Sequence, residues 1–314
     1  MNTIASIHRK AVVFAGSLLL LAACSTNEPA PAPVLPRDPN PTVPGGNIPG
    51  TPGNGSQQPG NGNQQPGNGT NNPEVPVRGT RLRWSSLDHQ DWVHNTAGQL
   101  VQYVSQYNST QGANTVTRFT YEFRYEGQRL ERLDVMNNYG GKKHVRYQYE
   151  GDRLVKAEEF NSVGDKMAVY EYEFASPTRL QAQVETHYEL NGTVKWRFRK
   201  EFVYDGRGNL TEIRNFHRNS AEQAWQAQDR LVFSQYDNLA TTGEDLLMTY
   251  PMLPGVRFRV NNPGRKQWFT PEGQLMSGEE RYSYTADLNG KVISKTVSGE
   301  GGRYTGTFLY PANQ

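Results

Sequence analysis

The chain has 314 residues, with 33 basic and 31 acidic side chains and a single cysteine, Cys24. Without residues 1–23, which carry Arg9 and Lys10 and no acid, 31 basic groups face 31 acidic ones. That balance excludes the net basic field of a nucleic-acid binder, and one thiol excludes an intrachain disulfide or a cysteine-rich metal site.

The chain opens with a basic start at Arg9 and Lys10, an apolar run from Ala11 to Leu21, and Leu21-Ala22-Ala23-Cys24. The run is too short to span a bilayer as a mature helix, and its flanks are those of a secretory signal peptide over residues 1–23. Leu-Ala-Ala-Cys resembles the lipobox of bacterial lipoproteins, which implies cleavage before Cys24 and acylation of its thiol and new amino terminus. Ser25 stands where that family carries an aspartate for inner-membrane retention, so the resemblance implies attachment to the outer membrane through the lipid. It leaves open whether the protein faces the periplasm or the outside.

Residues 24–78 form the second region, rich in Pro, Gly, Asn, Gln and Thr, with a seven-residue unit repeated at Pro52, Pro59 and Pro66. Such composition offers too little apolar surface to offset the entropy of ordering and predicts a disordered linker. A coil of about 54 residues spans roughly 40 Å end to end and acts as a tether.

Residues 79–314 form one domain. Near its start, Asp88-His89-Gln90-Asp91-Trp92-Val93-His94 is the densest polar cluster. On a strand, His89 and Asp91 share a face that His94 does not, which makes them weak metal ligands and favours an ordinary hairpin. No cofactor is expected.

Beyond it, aromatic residues fall on alternate positions, as in Phe119-Thr120-Tyr121-Glu122-Phe123-Arg124-Tyr125 and Tyr170-Glu171-Tyr172-Glu173-Phe174. This period puts rings on one face of a strand and Arg, Glu and Thr on the other. Each such strand runs into a polar turn and then a leucine: Tyr125 to Leu130, Tyr149 to Leu154, Phe174 to Leu180, Tyr204 to Leu210, and Phe269 to Leu275. The expected fold is all-β, a repetitive antiparallel hairpin meander forming a strongly twisted, curled sheet or partly open barrel.

Tyr204-Asp205-Gly206-Arg207-Gly208-Asn209-Leu210 is similar to the tyrosine-aspartate (YD) repeat of Rhs-type proteins. His94 to Leu100 and Ala286 to Val292 fit the same frame with the aromatic replaced, giving about seven copies. The resemblance implies hairpins wound into a curved sheet. The shell that encloses a toxin in large Rhs proteins is not implied, because the copies here are few.

The aligned leucines break step after Leu210. The interval holds either a decayed copy near Tyr236-Asp237-Asn238 or an insertion, within which residues 220–229 have the makings of a short capped helix. Tyr236-Asp237-Asn238 followed by Asn261-Asn262-Pro263 resembles a segment of repeat-bearing lipoproteins of unknown function. These residues and Trp268 are the candidate binding residues, since this is where repetition is abandoned.

No nucleophile elbow, phosphate loop or catalytic carboxylate pair stands out. The expected function is a lipid-anchored, non-enzymatic envelope module for binding or scaffolding. Its partners would be the membrane, through the anchor, and a protein or glycan of the cell envelope. The alternatives are a periplasmic carrier that shelters an acyl chain or lipoprotein, and an envelope hydrolase.

Overall fold

The computed structural model describes residues 79–108, 116–220, 222–242, 244–276 and 278–311. The leader, Cys24 and the linker lie outside the described residues. The strands are β1 (Arg81–Arg83), β2 (His89–His94), β3 (Leu100–Asn108), β4 (Val116–Glu126), β5 (Arg129–Asn137), β6 (Lys142–Glu150), β7 (Arg153–Asn161) and β8 (Lys166–Ser176). They continue with β9 (Arg179–Tyr188), β10 (Val194–Tyr204), β11 (Leu210–Arg218), β12 (Gln226–Ser234), β13 (Arg265–Phe269), β14 (Glu280–Ala286), β15 (Val292–Gly299) and β16 (Gly302–Leu309). Each pairs antiparallel with its sequence neighbour, and β1 pairs with β16 through Leu82 and Phe308, so the sheet closes into a barrel. The meander curls on itself as expected, and the curl is complete: the last strand meets the first.

The aromatic period explains the inner face. Tyr103, Phe123, Leu133, Val145, Tyr147, Tyr170 and Phe202 point into the lumen and are buried. Their alternates form an outward lattice of ion pairs. Asp134 sits 3.0 Å from Arg124 and 2.6 Å from Arg132, and Glu158 sits 2.8 Å from both Lys156 and Lys166. Arg199 bridges Glu173 at 2.8 Å and Glu201 at 3.0 Å. Individually such exposed pairs contribute little to stability. Collectively they make an outer wall suited to water, whereas a membrane-spanning barrel needs an apolar outward band.

At one mouth of the barrel, the corner mouth, the turns carry the aromatic-to-leucine motif. Tyr125 stands opposite Leu130 and Tyr204 opposite Leu210, each beside a register shift that turns the ring inward. The tyrosines do more than fill space. The Tyr125 hydroxyl donates to the Leu100 carbonyl at 3.0 Å, Tyr204 to Leu180 at 2.8 Å and Tyr310 to Val292 at 2.7 Å. Each hydroxyl thus ties its strand to the leucine or valine that closes the preceding corner, which satisfies a polar group that the apolar layer would otherwise strand.

Two expectations are corrected. The helix expected over 220–229 gives way to a strand, Gln226–Ser234, because pairing with β11 from Glu212 to His217 overrides a local helix preference. The turn from Phe269 to Leu275 has the expected closure, Phe269 bridging Leu275, but it joins β13 to β14 at the opposite mouth, out of phase with the other copies.

Candidate functional site: a divided lumen

The corner at Tyr204 shows how the motif works. The Asp205 N–H donates to the Asn209 carbonyl at 2.9 Å, while Asp205 Oδ1 accepts from the N–H groups of Arg207 and Asn209 at 2.9 and 2.8 Å. Gly208, at φ 93°, completes the turn with a backbone conformation that side chains resist.

The same bonds recur at Tyr236 with a different partner. The Asp237 N–H donates to the Asn262 carbonyl at 3.0 Å, and Asp237 Oδ1 accepts from Asn262 N at 3.0 Å and Leu239 N at 3.1 Å. Tyr236 likewise donates its hydroxyl to the Leu210 carbonyl. The interval is therefore both things the sequence offered: a repeat corner, and an insertion spliced into its turn. Asn262, only 2 % exposed, takes the place that Asn209 holds four residues after Asp205.

The spliced segment folds into the lumen as a plug. Leu246, Met252, Leu253, Val256 and Phe258 are buried there, and Phe258 lies 5.3 Å from the Phe202 ring. Its backbone is held by the wall: Tyr147 donates to the Met252 carbonyl at 2.7 Å, Gln183 Nε2 to the Tyr250 carbonyl at 2.6 Å, and Leu210 N to the Phe258 carbonyl at 2.7 Å. Asn209 Oδ1 accepts from Val260 N and Asn261 N, both at 2.9 Å. Two buried ion pairs anchor the plug further: Arg259 with Asp245 inside it, and Lys295 of β15 with Glu244 at 3.1 Å.

The plug fills the half of the lumen next to the corners. Beside it, Thr80, Trp92, His94, Thr241, Thr242 and Tyr310 line a cleft of about 240 Å³. Burial holds the His94 imidazole below its usual pKa, hence neutral.

The other half is a polar basin. Inward-facing positions on the strands there break the aromatic alternation with charge: Lys143 and Glu159 (3.2 Å), which border the plug at Tyr250, Glu185 and Lys200 (2.7 Å), and Lys266 and Glu280 (3.1 Å). Asn215 Nδ2 donates to Asp229 Oδ1 at 2.6 Å. Trp196, Phe198 and Trp268 lie among these groups, each half-buried. Burial raises the Asp229 carboxyl, which Asn215 and Trp268 offset only in part. Burial also pushes Glu185 up, but Lys200 and His187 outweigh it and hold that carboxyl below its usual range.

The candidate residues named from sequence divide accordingly. Tyr236, Asp237 and Asn262 build the corner, and Asn261 Nδ2 donates to the Leu239 carbonyl at 3.0 Å. Asn238 sits in the turn itself, and Trp268 lies in the basin. His89 and Asp91 share the outer face, 3.6 Å apart, and Arg81 also binds that carboxylate through Nη2 at 2.8 Å. Among the described residues no group of three His, Cys, Asp or Glu side chains is placed to hold a metal. Cys24 lies outside them. Sequence reasoning missed Lys143, Glu159, Glu185 and Lys200. The available signal was phase: in Trp196-Arg197-Phe198-Arg199-Lys200-Glu201-Phe202 the lysine falls on the ring face.

No protein-family model matches the chain, and no curated protein matches it. Among solved structures it is similar to a porin-like protein from Bacteroides uniformis ATCC 8492, with TM-score 0.47 and 11% identity over 76% of this chain and 99% of that one. It is also similar to a porin-like protein from Bacteroides vulgatus ATCC 8482, with TM-score 0.35 and 13% identity over 76% and 100% of the two chains. A third likeness is to TcdB2-TccC3-Cdc42, with TM-score 0.23 and 9% identity over 72% of this chain and 12% of that one. What the barrel does is therefore carried by its own residues.

Proposed function

We propose that this is a lipid-anchored, non-enzymatic module of the cell envelope, held to the outer membrane through Cys24 and its linker, which binds a ligand in the basin of the barrel. The observation that carries this reading is the division of the lumen. One half is closed by a dedicated plug, and the other presents paired charges and aromatic rings that burial alone does not require. Gly79 enters at the corner mouth, beside Trp92. The chain thus enters the barrel at its plugged end. The ion-paired outer wall supports a barrel that stands in water and relies on the lipid for attachment.

An acyl-chain carrier is less well supported, because Leu246, Met252, Leu253, Val256 and Phe258 occupy the apolar half that such a chain would need. The reading is tested by fractionation. Wild-type protein is expected in outer membranes and the Cys24→Ala variant in the soluble fraction, with an unchanged melting temperature. A Cys24→Ala protein that stays in the outer membrane would overturn the anchor. Turnover of envelope polymers by the purified chain, abolished by Glu185→Gln or Asp229→Asn, would overturn the non-enzymatic assignment.

A further inference from the structure

We infer that the basin is a binding site for a neutral, hydroxyl-rich oligosaccharide, with the rings of Trp196, Phe198 and Trp268 as its stacking surfaces. This rests on the reading of the barrel as a binding module and names the ligand class of its basin.

Three observations converge on that class. The first is charge. The basin's lysines are matched one to one by carboxylates, Lys143 with Glu159, Lys200 with Glu185 and Lys266 with Glu280. A charged ligand would have to break a pair and strand its partner, which costs far more than a neutral contact returns. A hydroxyl breaks nothing, because it donates to a carboxylate edge or accepts from an ammonium while the pair stays intact.

The second is the kind of polar group present. Amide, carboxylate and ammonium alternate along the wall at Lys200, Asn215 and Asp229, which are cross-strand partners in register: Lys200 opposite Asn215, and Asn215 opposite Asp229. Such a row reads groups that both donate and accept. Asn215 Oδ1 is buried without a hydrogen-bond partner, and an apolar ligand would leave it so, at a cost of desolvation.

The third is the aromatic surface. Trp196 and Phe198 lie on β10, with ring centroids 4.7 Å apart, and Trp268 lies on β13. All three are half-buried, in contrast to Phe202, which is 5% exposed beside the plug. The His187 ring lies 3.4 Å from that of Trp196 and covers one side of it, and the partly exposed ring surface that remains within this polar wall suits the C–H faces of a sugar, an apolar surface bordered by hydroxyls. From β10 to β13 the wall spans three inter-strand spacings, about 14 Å, room for an oligosaccharide rather than one ring.

The test uses the full mature chain in detergent and four probes: the hexasaccharides of the cello, malto, laminari and chito series. Intrinsic tryptophan fluorescence and saturation-transfer NMR are expected to show saturable binding of at least one. Trp196→Ala and Trp268→Ala should each weaken it about tenfold. Trp225→Ala should leave it unchanged, since Trp225 packs under Arg218 at 4.2 Å, outside the basin. If the alanine variants melt early, Trp196→Phe keeps an apolar ring and should still weaken binding severalfold. No saturable binding of any probe, unaltered binding in the Trp196 and Trp268 variants, or tighter binding of a polyanionic oligosaccharide would overturn the inference. Failure of the parent reading looks different. If the sugars do not bind but both tryptophan variants lose co-sedimentation with cell envelopes, the basin remains a binding site and only the ligand class falls. If co-sedimentation is also unaffected, both fall.

Discussion

The corner at Tyr204 and the corner at Tyr236 use the same side chains for opposite ends. In both, an aspartate N–H donates to an asparagine carbonyl and the aspartate's Oδ1 accepts from that asparagine's N–H, at 2.9 and 2.8 Å in one and 3.0 and 3.0 Å in the other. In the first the clamp encloses only a three-residue turn, and Asn209 Oδ1 is left to hold the backbone of Val260 and Asn261. In the second the same clamp encloses a segment that buries Leu246, Met252, Leu253, Val256 and Phe258. The difference teaches that the YD corner is a clamp whose strength does not depend on what it encloses. Loop-closure entropy grows only slowly with length, so a long insertion costs little more than a short turn, about 0.6 kcal/mol for each doubling.

The largest break in this comparison is excision. Replacing residues 238–261 by the turn Gly206-Arg207-Gly208 should leave a clamp that can still form around a lumen that cannot stay filled. The expected outcome is loss of the cooperative thermal transition, read by circular dichroism, because several large side chains leave at about 2–5 kcal/mol each. A two-state melt at the wild-type temperature would show that the plug is dispensable.

Next is Asp245→Asn, which keeps the plug but leaves the Arg259 guanidinium unpaired at 4% side-chain exposure. A buried charge without its partner should cost about 3–5 kcal/mol in denaturant unfolding. Replacing both residues by apolar side chains of similar volume should recover most of that.

The acid limb of stability sharpens the contrast between plug and basin. Glu185 is buried, yet Lys200 and His187 hold its pKa below the unfolded value. A depressed carboxyl contributes stability above its unfolded pKa and loses it as pH falls through the folded pKa. Glu185→Gln should therefore lower stability at pH 7 and flatten its fall between about pH 5 and 3. An identical acid limb in wild type and variant would remove Glu185 from the account. Asp229, raised by burial, has the opposite sign: its ionised form opposes folding, so Asp229→Asn should gain slightly at pH 7 and nothing at pH 3.

The two clamps are compared directly by Asp205→Ala and Asp237→Ala. Each loses the bonds of an Asx-type turn, about 1–2 kcal/mol. Asp237→Ala should additionally speed hydrogen exchange at Leu239 and Asn262, whose N–H groups it holds, while Asp205→Ala should reach Val260 and Asn261 only through Asn209. The smallest expected effect is Tyr204→Phe, which strands the Leu180 carbonyl for about 1 kcal/mol.

Much of this architecture is legible in the chain. Alternating rings identify the strands because the pleat has a period of two, and the Tyr-to-Leu intervals locate the corners. The gap after Leu210 marks where repetition stops. What cannot be read is where the inserted segment goes. No local rule says that Met252 faces Tyr147, 105 residues earlier, or that Asn209 will hold Val260. Closure is hidden for a related reason: whether β16 reaches β1 depends on twist and stagger accumulated over all the strands. One sign of the basin lay in view, since Lys200 interrupts the ring face of its strand in phase. A single out-of-place charge reads as noise until its cross-strand partner is known. The expected helix at 220–229 failed because β11 supplied a pairing partner that propensity does not see.

Joining β1 to β16 has a consequence for how this molecule can vary. An open array lengthens by adding units at its end, but a ring of fixed circumference has no end, and one more hairpin would widen every cross-section and loosen every contact across the lumen. Growth is thereby confined to the turns. The Asp237–Asn262 clamp is what such growth looks like: new sequence accommodated within a single reversal of direction, with the ring around it left the same size.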